Sequence, residues 1–207
     1  MNHYFTDNRH LTENRKDLSF RFWCFSYCFT TDNGVFSKDG IDYGSRVFLD
    51  TMLKINEMGP RILDVGCGYG TLGIILKKHY PESYVEMVDV NSRALDLAIH
   101  NAKQNNVEVN AHLSNIYENV EGTFSDVVTN PPIRAGKAVI YEIFEKAYDH
   151  LEPNGSLWVV IRKQHGAMSA VKKIKEVFGN CDIVGKDKGF FILRSKKSWQ
   201  FDNVLLL

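Results

Sequence analysis

Apolar positions along this chain follow two regimes. Residues 18–31 (LSFRFWCFSYCFTT) are aromatic-rich and partly alternating, a pattern that predicts a β-hairpin or two short strands. A glycine-containing loop follows (TDNGVFSKDGIDYGS). Val47, Phe48, Leu49, Met52, Leu53 and Ile55 then recur at helical spacing and predict a helix from about Ser45 to Glu57. From Arg61 the pattern changes. Short continuous apolar runs (RILDV, YVEMVDV, VNAHL, SDVVT, SLWVVI) alternate with helical segments near 70–80, 91–105 and 137–150. Strands apolar on both sides, separated by helices, imply an α/β architecture with a doubly wound, mostly parallel sheet. After SLWVVI come a basic amphipathic helix, about 167–178, and two last strands, CDIVGK and GFFILRS, close enough to pair antiparallel.

At 207 residues the chain fits one domain and buries roughly 70% of its unfolded surface, so no metal or disulfide staple is required. Cys24 and Cys28 have a spacing used by some zinc sites, but no second Cys or His pair completes four ligands. No metal is expected. Residues 1–20 are polar and charged, unlike a secretory signal, and no apolar run is long enough to span a bilayer. The expected address is the cytoplasm, with no membrane partner. Net charge is zero, yet residues 1–133 carry 12 Lys/Arg against 17 Asp/Glu and residues 134–207 carry 13 against 8. The C-terminal third is therefore basic, which permits a nucleic-acid-facing surface and is equally compatible with a solvated mixed one.

The segment Asp64-Val65-Gly66-Cys67-Gly68-Tyr69-Gly70 follows a predicted strand and opens a predicted helix. Glycines there let the backbone turn tightly and approach a ligand at the helix N-terminus. Gly68-x-Gly70-x-x-Gly73 also satisfies the dinucleotide pattern, so an NAD-dependent oxidoreductase competes with an S-adenosylmethionine methyltransferase. A pyrophosphate is held by bare backbone N–H groups, and Asp64 would set a carboxylate beside it. A sulfonium cofactor carries an ammonium, a positive sulfur and no phosphate, so it favours that carboxylate. The register agrees: Gly66 begins two residues after Asp64, whereas Gly68 starts late for a dinucleotide turn. Asp89, beside Val90 at the end of the second strand, can accept from both ribose hydroxyls. The alternative role for Asp89 is to cap the helix near Asn91. After the third strand, Asn115, beside Ile116, can accept from an adenine amino group.

The fourth strand ends in Asn130-Pro131-Pro132-Ile133. Each proline fixes its own φ and restricts its predecessor. The loop thus presents the Asn130 side-chain oxygen and the Pro131 carbonyl without matching donors. A planar NH₂ between them donates both hydrogens, and its nitrogen lone pair can turn toward a sulfonium methyl. Positioning and electrostatics carry such a transfer, with no nucleophilic side chain. A Pro-Pro turn closing a strand explains the prolines but not the Asn.

With these motifs in this order, the chain resembles the class I S-adenosylmethionine methyltransferases, and within them the ribosomal RNA small-subunit methyltransferase C family. The resemblance runs from about Thr31 to Lys197. It includes Gly34-Val35-Phe36-Ser37, Asp42 with Gly44-Ser45, the loop at 64–70, Asp89, Ser114-Asn115, the Asn130 motif followed by Arg134-Ala135-Gly136-Lys137, and the ending VFGNCDIVGKDKGFFILRSKK. It implies a Rossmann-like fold over 44–197, an N-terminal extension over 1–43 carrying the hairpin and a substrate or cofactor loop, and a tail over 198–207. It further implies S-adenosyl-L-methionine as cofactor and methylation of guanine N2 in ribosomal RNA, free or in an assembling small subunit; the oligomeric state, monomer or weak dimer, is left open. The expected catalytic set is Asn130, Pro131, Pro132 and Ile133. The expected cofactor set is Asp64, Gly66, Cys67, Gly68, Gly70, Asp89, Val90, Asn115, Ile116 and Asn130.

Two departures stand out. The longer bacterial members carry an additional N-terminal methyltransferase-like domain, and this chain resembles shorter, single-domain relatives. Many enzymes with the motif place an aromatic ring where Ile133 stands, to sandwich the target base. Phe36 is the candidate to replace that ring, or else it plugs the cofactor site. Arg134 and Lys137 are candidates for phosphate contact, against simple solvation, and His165 is read as a rim residue. Two other readings remain: a glutamine side-chain amide as the acceptor, and a non-catalytic RNA-binding module.

Overall fold

The computed structural model describes residue 12, residues 14–33, residue 35 and residues 41–198. The first elements among the described residues form a hairpin, β1 (Lys16–Phe22) and β2 (Phe25–Thr31), paired antiparallel from Lys16↔Thr31 to Phe22↔Phe25. Its two-residue turn needs left-handed backbone at Trp23, φ 52°. The hairpin is separate from the main sheet and hydrogen-bonds instead to a helix, α3 (Ser92–Gln104). Asn101 of that helix offers the backbone of β2 both halves of a strand-like pairing. Its Oδ1 accepts from the Thr30 N–H (2.7 Å) and its Nδ2 donates to the Thr30 carbonyl (3.0 Å). Asn105 at the helix end does the same for Cys28.

Helix α1 (Tyr43–Ile55) begins two residues before the expected Ser45 and ends two before the expected Glu57. The start moves because Asp42 caps it: Asp42 Oδ1 accepts from the Ser45 N–H at 3.0 Å. It stops because Asn56 turns left-handed and its N–H closes on the Met52 carbonyl.

The strands that follow are β3 (Arg61–Val65), β4 (Tyr84–Asp89), β5 (Asn110–Leu113), β6 (Phe124–Thr129), β7 (Leu151–Arg162), β8 (Asp182–Asp187) and β9 (Phe190–Lys196). They form one seven-stranded sheet in the order β5-β4-β3-β6-β7-β9-β8. The first five in that order run parallel, β9 lies antiparallel against β7, and β8 lies antiparallel on β9. The order reverses between β3 and β6, which opens a crevice at the carboxyl ends of those two strands.

The remaining helices are α2 (Thr71–His79), α4 (Lys137–Ala147) and α5 (Ala167–Phe178). Alternation along the strands sends Ile62, Met87, Val128 and Trp158 to a face covered by α1, α2, α3 and the hairpin. Leu63, Val65, Val127 and Val159 go to the opposite face, under α4 and α5. Burying both faces explains the continuous apolar strands. No helix of the described residues is long and apolar enough to cross a membrane.

Candidate active site

The switch between β3 and β6 carries a cavity of about 760 Å³, within the range of small-molecule sites. One side is the loop from β3 to α2. Gly66 and Gly68 have φ of 73° and 57°, and a Cβ on either would meet nothing within 4 Å. Both positions need glycine for backbone conformation, and both face open space. Gly73 is demanded by packing instead, since a Cβ there would lie 2.4 Å from the Met87 sulfur.

Five backbone donors of this loop are already engaged. The Gly66 and Cys67 N–H groups donate to the Val88 carbonyl, and the Gly70 N–H donates to the Cys67 carbonyl. The Gly68 N–H donates to Asp89 Oδ2 at 2.8 Å, and the Gly73 N–H to Asp64 Oδ2 at 2.9 Å. A pyrophosphate arriving here would find those five amides taken and two carboxylates beside them. The geometry is hostile to a dinucleotide.

The two carboxylates differ. Asp64 is fully buried, and its Oδ1 has no hydrogen-bond partner. Burial pushes its pKa up to about 7, opposed by the Gly73 N–H and reinforced by the charge of Asp89. Asp89 is partly open to the cavity; burial raises its pKa too, and the Asn91, Gly68 and Val90 N–H groups pull it back down. Asp89 does not cap α3, because the Asn91 side chain accepts from the Arg93 and Ala94 N–H groups in that role. Both Asp89 oxygens accept backbone bonds, from Gly68 and Asn91, and the carboxylate, which lines the cavity, keeps acceptor capacity beyond them. Cys67 lines the same wall with its thiol pushed well up by burial.

The floor continues through Val90, which is exposed, and through Ser114, Asn115 and Ile116, all lining the cavity. Ile116 holds a left-handed φ of 54°, a conformation disfavoured for a branched residue. Asn115 spends its Nδ2 on Glu118 Oε1 (2.8 Å), which leaves its carbonyl oxygen for an incoming donor.

Facing the glycine loop is Asn130-Pro131-Pro132-Ile133. Thr129 Oγ1 donates to the Val65 carbonyl at 2.9 Å and ties the end of β6 to β3. After the prolines the chain makes a 3-10 turn, Ile133–Ala135, and leaves it at Gly136, φ 92°, to start α4. Asn130 Nδ2 donates to Ser45 Oγ at 3.0 Å, so the amide oxygen is the free half of the group.

Most of the expected residues converge on the cavity, with exceptions. Asp64 and Gly70 are outside its lining; Gly70, φ 93°, is the N-cap of α2. Arg134 lines the cavity, whereas Lys137 sits exposed at the start of α4, outside the lining. Phe36 lies outside the described residues; its neighbour Val35 lines the cavity. Ser45, Tyr43 and Phe190 also line it and were not singled out from sequence as site residues. Asp42-x-x-Ser45 was a signal for Ser45, as a cap that sets a serine in the first helical turn. Phe190 gave none, because strand order brings it in.

A sequence model of the methyltransferase small domain matches residues 26–194. The chain belongs to this family. Across 198 residues it is 42% identical to the Bacillus subtilis (strain 168) protein YbxB, covering 94% of this chain and 98% of that one. It is 30% identical over 168 residues to ribosomal RNA small subunit methyltransferase C of Vibrio cholerae serotype O1, covering 79% of this chain but 48% of that one. The chain thus spans about half the length of the methyltransferase C relatives it matches. Among solved structures it is similar to a T. thermophilus 16S rRNA N2 G1207 methyltransferase in complex with AdoMet and guanosine, with TM-score 0.80 and 24% identity over 88% of this chain and 50% of that one. A Pyrococcus furiosus methyltransferase superposes with TM-score 0.64 at 21% identity, covering 72% of this chain and 81% of that one. The fold is the class I methyltransferase fold with a mostly parallel sheet, antiparallel last strands and an added N-terminal hairpin.

Proposed function

We propose that this small-domain methyltransferase transfers a methyl group from S-adenosylmethionine to the exocyclic N2 of a guanine in small-subunit ribosomal RNA, in the cytoplasm, with residues 44–197 as its catalytic domain. The observation that carries the reading is the Asn130 amide, pinned through its nitrogen by Ser45 so that its oxygen is left for an amine.

The cofactor fits the residues present. Asp64 Oδ1 is a buried acceptor without a partner directly behind the glycine loop, so a cationic methionine moiety in the cavity is favoured by the charge of that carboxylate. Gly66 and Gly68 leave room for close approach, Asp89 offers lone pairs to ribose hydroxyls, and Asn115 offers its carbonyl to an amino group. When bound, the cofactor supplies an electrophilic methyl on a positive sulfur.

The chain's own residues do the rest. Asn130 Oδ1 and the Pro131 carbonyl accept the two hydrogens of the target NH₂, which directs the nitrogen lone pair into the cavity. This is preorganised electrostatic orientation, worth most where water is excluded. The proton released after transfer can leave to water, so His165 at the rim has no required role as a base. Arg134, and Lys137 further out, are positioned for RNA phosphates. The relatives support RNA as the substrate: methyltransferase C of V. cholerae for the small-subunit ribosomal RNA, and the T. thermophilus enzyme for guanosine.

The test is nucleoside mass spectrometry of ribosomal RNA from cells with and without the gene. Loss of one N2-methylguanine per small subunit is expected, restored by wild type and not by Asn130→Ala. An unchanged rRNA profile together with a lost methylglutamine in a protein would replace the reading.

A further inference from the structure

In the cavity lining, three flat groups from three separate elements come together. Phe190 opens β9 directly opposite Arg162, which ends β7. Side chains directly opposite in an antiparallel pair share a face, and the Arg162 guanidinium carbon lies 4.9 Å from the Phe190 ring centroid. Tyr43, in the first turn of α1, sets its ring 6.0 Å from that of Phe190, tilted by 45°. All three line the cavity beside Asn130 and Ile133.

We propose that Arg162 and Phe190, edged by Tyr43, form the wall against which the target base stacks, which makes the site one for a nucleobase in place of a side-chain amide. This rests on the RNA reading above and deepens it. The aliphatic Ile133 offers no π face next to Asn130, so a planar target must find its stacking partner on another element.

Local construction supports a built wall. Gly44 has ordinary backbone, yet a Cβ there would lie 2.5 Å from Phe190 Cε1. Helix α1 therefore omits a side chain where the Phe190 ring packs. Tyr43 is fixed at its far end by a hydrogen bond to Asp187 Oδ2 (2.6 Å), and Lys188 Nζ covers its ring at 4.8 Å. Arg162 has one face on Phe190, is exposed, and has no ion-pair partner among the described residues. Its guanidinium N–H groups make no hydrogen bond among the described residues, which leaves the guanidinium for a second flat, electron-rich group. Guanidinium planes and aromatic rings are the surfaces on which unpaired bases stack, and a side-chain amide has too little π surface to gain comparably. The wall is carried by β7, β9 and α1, and its two strands lie on the far side of β6 from the β3 strand that leads into the glycine loop, so its elements are separate from those proposed for the cofactor.

The test uses the full chain with small subunits or small-subunit rRNA from cells lacking the gene. Arg162→Lys keeps the charge and loses the plane; Phe190→Leu keeps apolar bulk and loses the ring. Both are expected to raise KM for RNA roughly tenfold or more, with kcat within about twofold and S-adenosylhomocysteine affinity unchanged by calorimetry. If Arg162→Lys matches wild type, the guanidinium supplies charge alone and the wall is refuted. If cofactor-product affinity weakens in step with KM, the pair props up the fold, and the proposal fails in that case too. Wild-type activity separates the two levels: methylation of RNA with wild-type behaviour in both variants removes the wall only. Wild type that methylates no RNA removes the functional reading and the wall with it.

Discussion

Ser45 Oγ, in the first turn of α1, accepts a hydrogen bond at 3.0 Å from Asn130 Nδ2 at the end of β6, across 85 positions of sequence. The serine is buried, with only 4% of the residue exposed, and Asn130 is half-buried beside it. A helix cap and a strand end thereby fix the orientation of one side chain. Swapping the ends of that amide would turn a donor toward a target amine that is itself a donor.

Asn130→Ala is expected to lower kcat by about 10²–10³, roughly 3–4 kcal/mol, the cost of removing one preorganised polar contact in a transition state. Affinity for S-adenosylhomocysteine should stay unchanged. Asn130→Asp should retain part of the activity, because a carboxylate keeps the shape and the Ser45 hydroxyl can reverse to donate to it. Single-turnover methylation alongside calorimetry measures both quantities. Equal losses in rate and cofactor affinity would reduce Asn130 to a turn-forming residue.

Ser45→Ala should act in the same direction and more weakly. Losing a neutral hydrogen bond of this kind costs about 0.5–1.5 kcal/mol, so kcat should fall about 2- to 12-fold with KM for RNA near wild type. A variant with unimpaired kcat would show that the Asn130 amide is held by the proline-bounded backbone alone.

Asp64 gives a pH dependence. Burial places its pKa near 7 in the free protein, while in the unfolded chain it titrates near 3.9. A carboxyl raised on folding contributes stability that is present below about pH 4 and lost as pH rises toward 7, by at most about 1.4 kcal/mol per pH unit. The stability of Asp64→Asn relative to wild type should therefore rise across that window in thermal melts. Cofactor binding should show the other side of the linkage. An ammonium needs the ionised carboxylate, so S-adenosylhomocysteine affinity should drop by up to about tenfold per unit below pH 7. In Asp64→Asn this drop should shrink to whatever Asp89 contributes, since burial raises that group as well. A flat affinity profile in wild type would show that Asp64 does not meet the cofactor's charge.

Asp89→Ala should weaken the same ligand by about 1.5–3 kcal/mol, the range for hydrogen bonds to a charged group. Isothermal titration checks it, and the melting temperature serves as a control because Asp89 also accepts from the Gly68 and Asn91 N–H groups. Unaltered affinity would confine Asp89 to holding the glycine loop.

Asn101→Ala tests the hairpin. The side chain is fully buried and makes three bonds, two to Thr30 and one to the Tyr69 carbonyl (2.9 Å). Its loss leaves buried backbone groups unpaired, at about 1–3 kcal/mol each. A total near 3 kcal/mol should lower Tm by roughly 6–12 °C for a chain of this size. A shift under about 2 °C would mean that the hairpin docks by its aromatics, with Asn101 incidental.

What the sequence determined is the part of the protein written in local period and local chemistry. The continuous apolar strands from Arg61 onward could be satisfied only by a sheet covered on both faces. The left-handed glycines at 66 and 68 and the proline-bounded Asn130 report backbone geometry that no neighbour needs to supply. Tertiary structure decided everything that depends on two distant segments meeting. Asp42 and Ser45 read as an ordinary helix start until the fold sets Ser45 against Asn130. Asn101 and Asn105 are polar residues on an amphipathic helix by pattern, yet they complete the hairpin because, among the described residues, β2 has no neighbouring strand on that side. Phe190 carries no local signal at all. Strand order inserts β9 beside β7, and that insertion alone sets its ring under Arg162 in the cavity lining, since pairing partners in a sheet are chosen by packing of whole elements and not by the residues nearest in the chain.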